Sequence, residues 1–191
     1  ACHAVWRSTV QPNCTAVVVG AGMIGLLIIQ MLQVKGCSRI IAVDLAPEKL
    51  EMARQFGATD VIRADQADVP AAVYNLTGNR GADYAFEVVG LTETIKNAVM
   101  SLRKGGTLTM VGNLQPSVEL PLQLVVTRQL TLAGSCASAG EYPECLEMIA
   151  AGKVDVDSFI SAVAPLEEGP AWFQRLYEKQ KGLMKVILQP S

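Results

Sequence analysis

Residues 15–19 (TAVVV) form a β-branched run, and residues 23–34 (MIGLLIIQMLQV) are apolar on most faces of a helical wheel. The first predicts a strand and the second a buried helix. RIIAVD (39–44) predicts a second strand that ends in an acid. Pro47 suits the first turn of the helix that follows, where its missing N–H costs nothing. That helix carries Leu50, Ala53 and Phe56 on one stripe and stops at Gly57. The rhythm continues with a strand at 60–64, a helix at 67–77 and a strand at 84–90. A helix at 92–102 follows, with Ile95, Ala98, Val99 and Leu102 facing inward. Lys104, Gly105 and Gly106 predict a turn into a strand at 107–112, followed by a short helix at 121–128 and a strand at 130–135.

Strands that alternate with helices imply a mainly parallel sheet covered on both faces. Six strands in two halves predict an α/β, doubly wound parallel six-stranded sheet, the Rossmann fold. After Ser135 the rhythm changes. A helix at 141–151 ends at Gly152, then come DSFISAV (157–163), a helix over roughly 166–179 and a strand at 184–188. This tail is expected to be a C-terminal α+β extension. No internal repeat or low-complexity tract interrupts the chain.

Composition narrows the class. Half of the 191 residues are hydrophobic and 18% are charged, which argues against disorder. The net charge is −2 and no basic block occurs, so nucleic acid and anionic membrane are excluded as partners on charge grounds. The five cysteines (Cys2, Cys14, Cys37, Cys136, Cys145) are odd in number and lack a C-x-x-C pair. They predict reduced thiols with apolar packing roles in a cytoplasmic protein. With one histidine, His3, the sequence offers no metal-ligand set of ordinary spacing. Residues 8–34 carry no charge, but Pro12, Asn13, three glycines and the polar Gln30 and Gln33 argue against a membrane span.

Chemistry concentrates at Gly20-Ala21-Gly22-Met23-Ile24-Gly25, which fits G-x-G-x-x-G between a strand and a helix. Gly20 supplies the sharp turn. A bare Gly22 lets the backbone approach a pyrophosphate, and Gly25 allows close packing of the helix on the sheet. The helix start offers the N–H groups of Met23 and Ile24 to an anion. A strand–helix turn with no ligand is the plainer reading of the same pattern. Asp44 ends the second strand nineteen positions past Gly25, where a carboxylate can accept both ribose hydroxyls of adenosine. The acid repels a 2′-phosphate and no arginine follows at Leu45 or Ala46, which favours NAD over NADP. Lys49 lies one turn into the next helix, within reach of the ribose. Methyltransferases share a glycine-rich first turn and an acid after the second strand. They usually end their sheet in an antiparallel hairpin, which this sequence does not show.

The chain resembles the medium-chain, zinc-type alcohol and polyol dehydrogenases nearly end to end. The likeness rests on HAV (3–5), VVVGAGMIGLL (17–27), IIAVDLAPEKLEMARQFGATDVI (40–62), GADYAFEVVG (81–90), LRKGGTLTMVG (102–112), LTLAGS (130–135), PLEE (165–168) and KVILQP (185–190). The resemblance implies that Val88 lines the adenosine side and that Val111, Gly112, Asn113, Ser135 and Cys136 lie near the nicotinamide. It also implies that Lys185 can reach the pyrophosphate. Residues 1–11 match a linker helix, 12–138 the NAD-binding domain, and 139–191 a segment that packs on an N-terminal catalytic domain. That domain, absent from this chain, holds the zinc in such enzymes, so no catalytic or metal-binding residue is expected here and His3 is expected to be a packed linker residue.

Ala137 stands where polyol-type relatives often carry a basic residue, and Ser161-Ala162-Val163-Ala164 stands where they often read T-H-R/x-F. The expected function is cofactor binding for hydride transfer between a secondary alcohol or polyol and NAD. A zinc-free quinone or enoyl reductase of the same family and a non-enzymatic NAD sensor are the alternatives. A homodimer or homotetramer is expected, with SVELPL (117–122) at a sheet edge.

Overall fold

The computed structural model describes residues 1–178 and 180–190. Six parallel strands form one sheet in the order β3-β2-β1-β4-β5-β6. They are β1 (Thr15–Val19), β2 (Arg39–Asp44), β3 (Asp60–Arg63), β4 (Ala82–Glu87), β5 (Leu102–Met110) and β6 (Thr131–Gly134). The order turns back between β1 and β4, which makes their carboxyl ends a topological switch point.

Alternation along the central strands sorts the core into two layers. Ala16 and Val18 of β1 and Ile40 and Ala42 of β2 face α2 (Met23–Val34) and α3 (Pro47–Gln55), with α1 (Cys2–Arg7) behind them. Val17, Val19, Ile41 and Val43 face the opposite side, towards α4 (Val69–Leu76) and α5 (Thr92–Ser101). The short α6 (Leu122–Thr127) packs on that same side through Leu124 and Val125.

The tail is a second, smaller unit. After α7 (Tyr142–Ala150), β7 (Ile160–Pro165) and β8 (Lys185–Gln189) pair in parallel, joined through α8 (Gly169–Tyr177). DSF (157–159) is a 3₁₀ turn ahead of β7. The tail grips the main unit through α2. Gln30, buried in the middle of that helix, donates to the Asp155 carbonyl at 2.9 Å and accepts from the Asp155 amide at 2.6 Å. Nearby, Phe159 stacks on Phe56 with ring centroids 4.9 Å apart. Sheet on one side and tail on the other explain why α2 is apolar on most faces.

Several boundaries differ from expectation, three of them with a clear physical cause. The expected turn at 104–106 lies inside β5: Ala82 pairs with Leu102 and Tyr84 with Thr107, so residues 103–106 bulge from the ladder. α4 starts at Val69 because the Asp68 carboxylate caps the Ala71 amide at 2.9 Å and Pro70 falls in the first turn. β4 stops at Glu87, where the chain turns into a positive-φ Gly90. SVELPL (117–122) forms no strand; Leu122 opens α6, and β3 and β6 are the edges of the sheet. Among the described residues no helix is long and apolar enough to cross a membrane.

Candidate functional site

The turn after β1 crosses the switch point. Gly20 adopts φ +105°, a region closed to most side chains, and a Cβ there would meet Val89 Cγ2 at 2.7 Å. Gly25 sits inside the first turn of α2, where a Cβ would fall 1.9 Å from the Gly20 carbonyl oxygen. Its bareness therefore serves the fit between helix and turn more than the fit between helix and sheet. Gly22 is different: it has φ −74°, open to any residue, and nothing lies within 4 Å of where its Cβ would be. Nothing within the described residues forbids a side chain at Gly22, and a side chain there would project into open space. α2 begins at that glycine without a side-chain cap, and its first ordinary helical bond runs from Leu26 N to Gly22 O. The amides of Met23 and Ile24 thus face an anion-binding position at the positive end of the helix.

Asp44 closes one side of the turn. One carboxylate oxygen accepts the Ala21 amide at 2.8 Å, and the other accepts the amides of Leu45 and Ala46 at 2.8 and 3.0 Å. Lys49 Nζ stands 3.9 Å from the same carboxylate. A carboxylate offers about four acceptor positions and three are taken, so one remains, enough for one ribose hydroxyl and not the two expected from spacing. Asp44 thus shapes the glycine turn as well as marking the ribose position, a role its spacing alone did not show.

The floor is made of the loops after β4 and β5. Val111 N and Gly112 N both donate to the Glu87 carbonyl, and Leu114 N and Gln115 N donate to Val89 and Gly90. A Cβ on Gly112 would fall 2.3 Å from the Gly90 nitrogen, so the two loops cross at backbone contact. Glu87 holds this crossing: its side chain is fully buried, and Oε1 accepts the amides of Val89 and Gly90 at 2.9 and 2.8 Å. Its other oxygen has no hydrogen-bond partner among the described residues. Sequence reasoning missed Glu87, Val89 and Leu114. The signal for Glu87 was an acid within the otherwise apolar AFEVVG run.

Together these elements line a cleft of about 460 Å³ that brings together Gly20, Gly22, Met23, Ile24, Gly25, Asp44, Lys49, Val88, Val111, Gly112 and Asn113. Four expected residues lie outside its lining. The Leu45 side chain is exposed beyond Asp44. Ser135 continues the β5–β6 pairing through its amide to Met110, and Cys136 follows it, exposed. Lys185 starts β8, opposite Ile160. A larger hollow of about 540 Å³ lies at the amino ends of β4 and β5, lined by Tyr74, Asn79, Arg80, Arg103, Lys104 and Arg128. It offers cations but no open helix start.

His3 packs against the loop after β6, where its Nδ1 bonds the buried Glu141 carboxylate. Among the described residues no three His, Cys, Asp or Glu side chains converge to hold a metal, so these residues do not fit a zinc site.

A glycine turn at the switch point, an acid at the end of β2 and an uncapped helix define a nucleotide-binding Rossmann unit. The zinc-binding dehydrogenase family model matches residues 24–151, and the chain belongs to that family. Sorbitol dehydrogenase of Bacillus subtilis (strain 168) is 30% identical over 191 residues, covering 99% of this chain and 54% of the relative. The alcohol dehydrogenase of Thermus sp. ATN1 superposes with a TM-score of 0.92 at 31% identity, covering 99% of this chain and 54% of that one. A protein of Sinorhizobium meliloti 1021, described as a zinc-binding dehydrogenase and bound to NADP, superposes with a TM-score of 0.83. It is 27% identical and covers 89% of this chain and 51% of that one. The chain spans about half the length of the curated relatives it matches.

Proposed function

We propose that the cleft binds NAD and that the whole protein is an NAD-dependent, zinc-type dehydrogenase of secondary alcohols or polyols. The observation that carries this reading is Gly22. It is bare where neither its own backbone nor any neighbour requires it, and it stands at the start of an uncapped helix. A pyrophosphate there would take the amides of Met23 and Ile24 and meet main chain at Gly20–Gly25. The adenosine ribose diol would face Asp44, with Lys49 beside it and Val88 along the adenine side. The nicotinamide would run over Val111, Gly112 and Asn113 towards Ser135 and Cys136. Lys185, at the start of β8, would supply a positive charge towards the pyrophosphate, as the family resemblance implies.

The bound nicotinamide supplies the carbon that accepts or returns hydride. This chain's residues capture the cofactor and aim its ring. Zinc chemistry and the alcohol pocket are assigned to the additional length that the relatives carry. Within this chain, residues 1–11 would form the linker helix and 12–138 the cofactor domain. Residues 139–191 would dock on the catalytic domain, through exposed apolar side chains such as Val163, Leu166, Phe173 and Tyr177. We assign the enzyme to the cytoplasm, where an odd, scattered cysteine set stays reduced, and to a homodimer or homotetramer, since β6 leaves an unpaired sheet edge.

The Sinorhizobium neighbour holds NADP, so the cofactor choice rests on Asp44, whose charge opposes a 2′-phosphate. Calorimetric titration with NAD, NADP and S-adenosylmethionine tests the reading. NAD should bind most tightly, NADP more weakly, and S-adenosylmethionine not at all. A preference for NADP would overturn the role of Asp44, and binding of S-adenosylmethionine alone would overturn the dehydrogenase assignment.

A further inference from the structure

Two of the five cysteines, both packed in the same core cluster, also lie against each other. Cys14 sits immediately before β1 and Cys37 two residues before β2, and these strands are parallel neighbours. Their side chains lie on the same face of the sheet, and the sulfurs are 2.8 Å apart. Backbone bonds hold them there: Asn13 N donates to Gly36 O at 2.8 Å, and Ser38 N and Arg39 N both donate to Cys14 O. The Ser38 hydroxyl adds bonds to the Asn13 and Cys14 carbonyls. Cys14 is buried and Cys37 is partly exposed, which gives a small oxidant one side of approach.

We propose that Cys14 and Cys37 are a modification site, a dithiol that closes to a reversible disulfide when the protein meets a peroxide. The hydrogen bond between the two sulfurs lowers the Cys14 pKa despite burial, and the same bond followed by burial raises that of Cys37. Of the two thiols Cys14 is the one that ionises first, which makes it the attacking sulfur. The Cys14 thiolate attacks one peroxide oxygen, a sulfur–oxygen bond forms, the oxygen–oxygen bond breaks and hydroxide leaves. Cys37 sulfur then attacks the Cys14 sulfenic acid, the sulfur–oxygen bond breaks, and water leaves with the Cys37 proton. In sum, two thiols and one peroxide give one disulfide and two waters, counting the proton first shed by Cys14. In a reducing compartment such a bond is transient, formed under oxidant and reopened by thiols. It would fasten β1 to β2 at the ends opposite the glycine turn and Asp44.

The whole protein is treated with hydrogen peroxide at a dose that oxidises the exposed Cys136, then denatured with an alkylating agent and digested without reductant. Trypsin cuts at Lys35, between the two cysteines. The expected product is a peptide pair joined through Cys14 and Cys37, two hydrogens lighter than the separate peptides and absent after dithiothreitol. Cys37→Ser should abolish the pair and leave Cys14 trappable by dimedone as a sulfenic acid. Full alkylation of Cys14 and Cys37 at that dose would overturn the proposal. So would a cross-link at Cys2–Cys145 with none at Cys14–Cys37.

Discussion

A methyl group at Gly25 would fall 1.9 Å from the Gly20 carbonyl oxygen, whereas one at Gly22 would enter open space. Gly25→Ala should therefore destabilise the fold by about 1–3 kcal/mol through forced backbone movement, read as a lower urea midpoint. Gly22→Ala should leave that midpoint unchanged and weaken NAD by about tenfold or more, roughly 1.4 kcal/mol, in a fluorescence titration. Asp44→Asn keeps an acceptor for the Ala21 amide but removes the charge, so it should weaken NAD and narrow its advantage over NADP. An unchanged NAD/NADP ratio would remove Asp44 from cofactor selection. The sequence assigned a reason to each glycine but not the neighbours that enforce it: Val89 at Gly20 and the Gly20 carbonyl at Gly25. Chain topology brings Val89 there from a distant segment. Asp44 was legible by its spacing, but its bond to Ala21 needed the loop's actual path. Glu87 stayed hidden because an acid in a buried strand has no spacing rule, only a need for nearby amides.

Strand and helix bodies followed from periodicity, because both faces of the sheet are covered and each β1 and β2 position alternates between two cores. Ends were less legible, since tertiary bonds set them. The bulge at 103–106 is one case, and Asp83 at the start of β4 helps explain it. Its carboxylate accepts Arg80, the Thr15 amide at the head of β1, and Arg103 from the bulge. Burial pushes the Asp83 pKa up, but those three partners outweigh it and hold it at about 2, below the ordinary 3.8. A depressed carboxylate adds stability that is complete above about pH 4 and is lost as pH falls towards about 2. Asp83→Asn should therefore lower stability at neutral pH and flatten the acid limb in that window, measured as urea midpoints at stepped pH. Between elements, Gln30 pairs with both the amide and the carbonyl of the Asp155 backbone. Gln30→Leu would orphan the Asp155 amide and carbonyl, costing about 1–3 kcal/mol. Faster amide exchange around 154–158 should accompany that loss.

On the scale of the whole molecule, the cleft behind the glycine turn belongs to the six-stranded unit, while exposed aromatic side chains gather on the small unit. Phe173 and Tyr177 of α8 are 70% and 83% exposed. Sedimentation velocity of the 191-residue chain should show self-association that falls on Phe173→Ser with Tyr177→Ser. NAD affinity should stay the same, because α8 lines no part of the cleft. The sequence announced β7, α8 and β8 as elements, but not that Val163, Leu166, Phe173 and Tyr177 would stand exposed on them and on the turn between them. Inside the larger unit, one bond has a consequence for how ligands come and go. Asp44 clasps Ala21 through the chain's own atoms, so the turn is braced from within and, under the proposed function, little ordering entropy would remain to be spent on association. Ala21 should already resist deuterium uptake in the apo protein. Departing cofactor would leave a set mould behind, and each newcomer would meet the same contour.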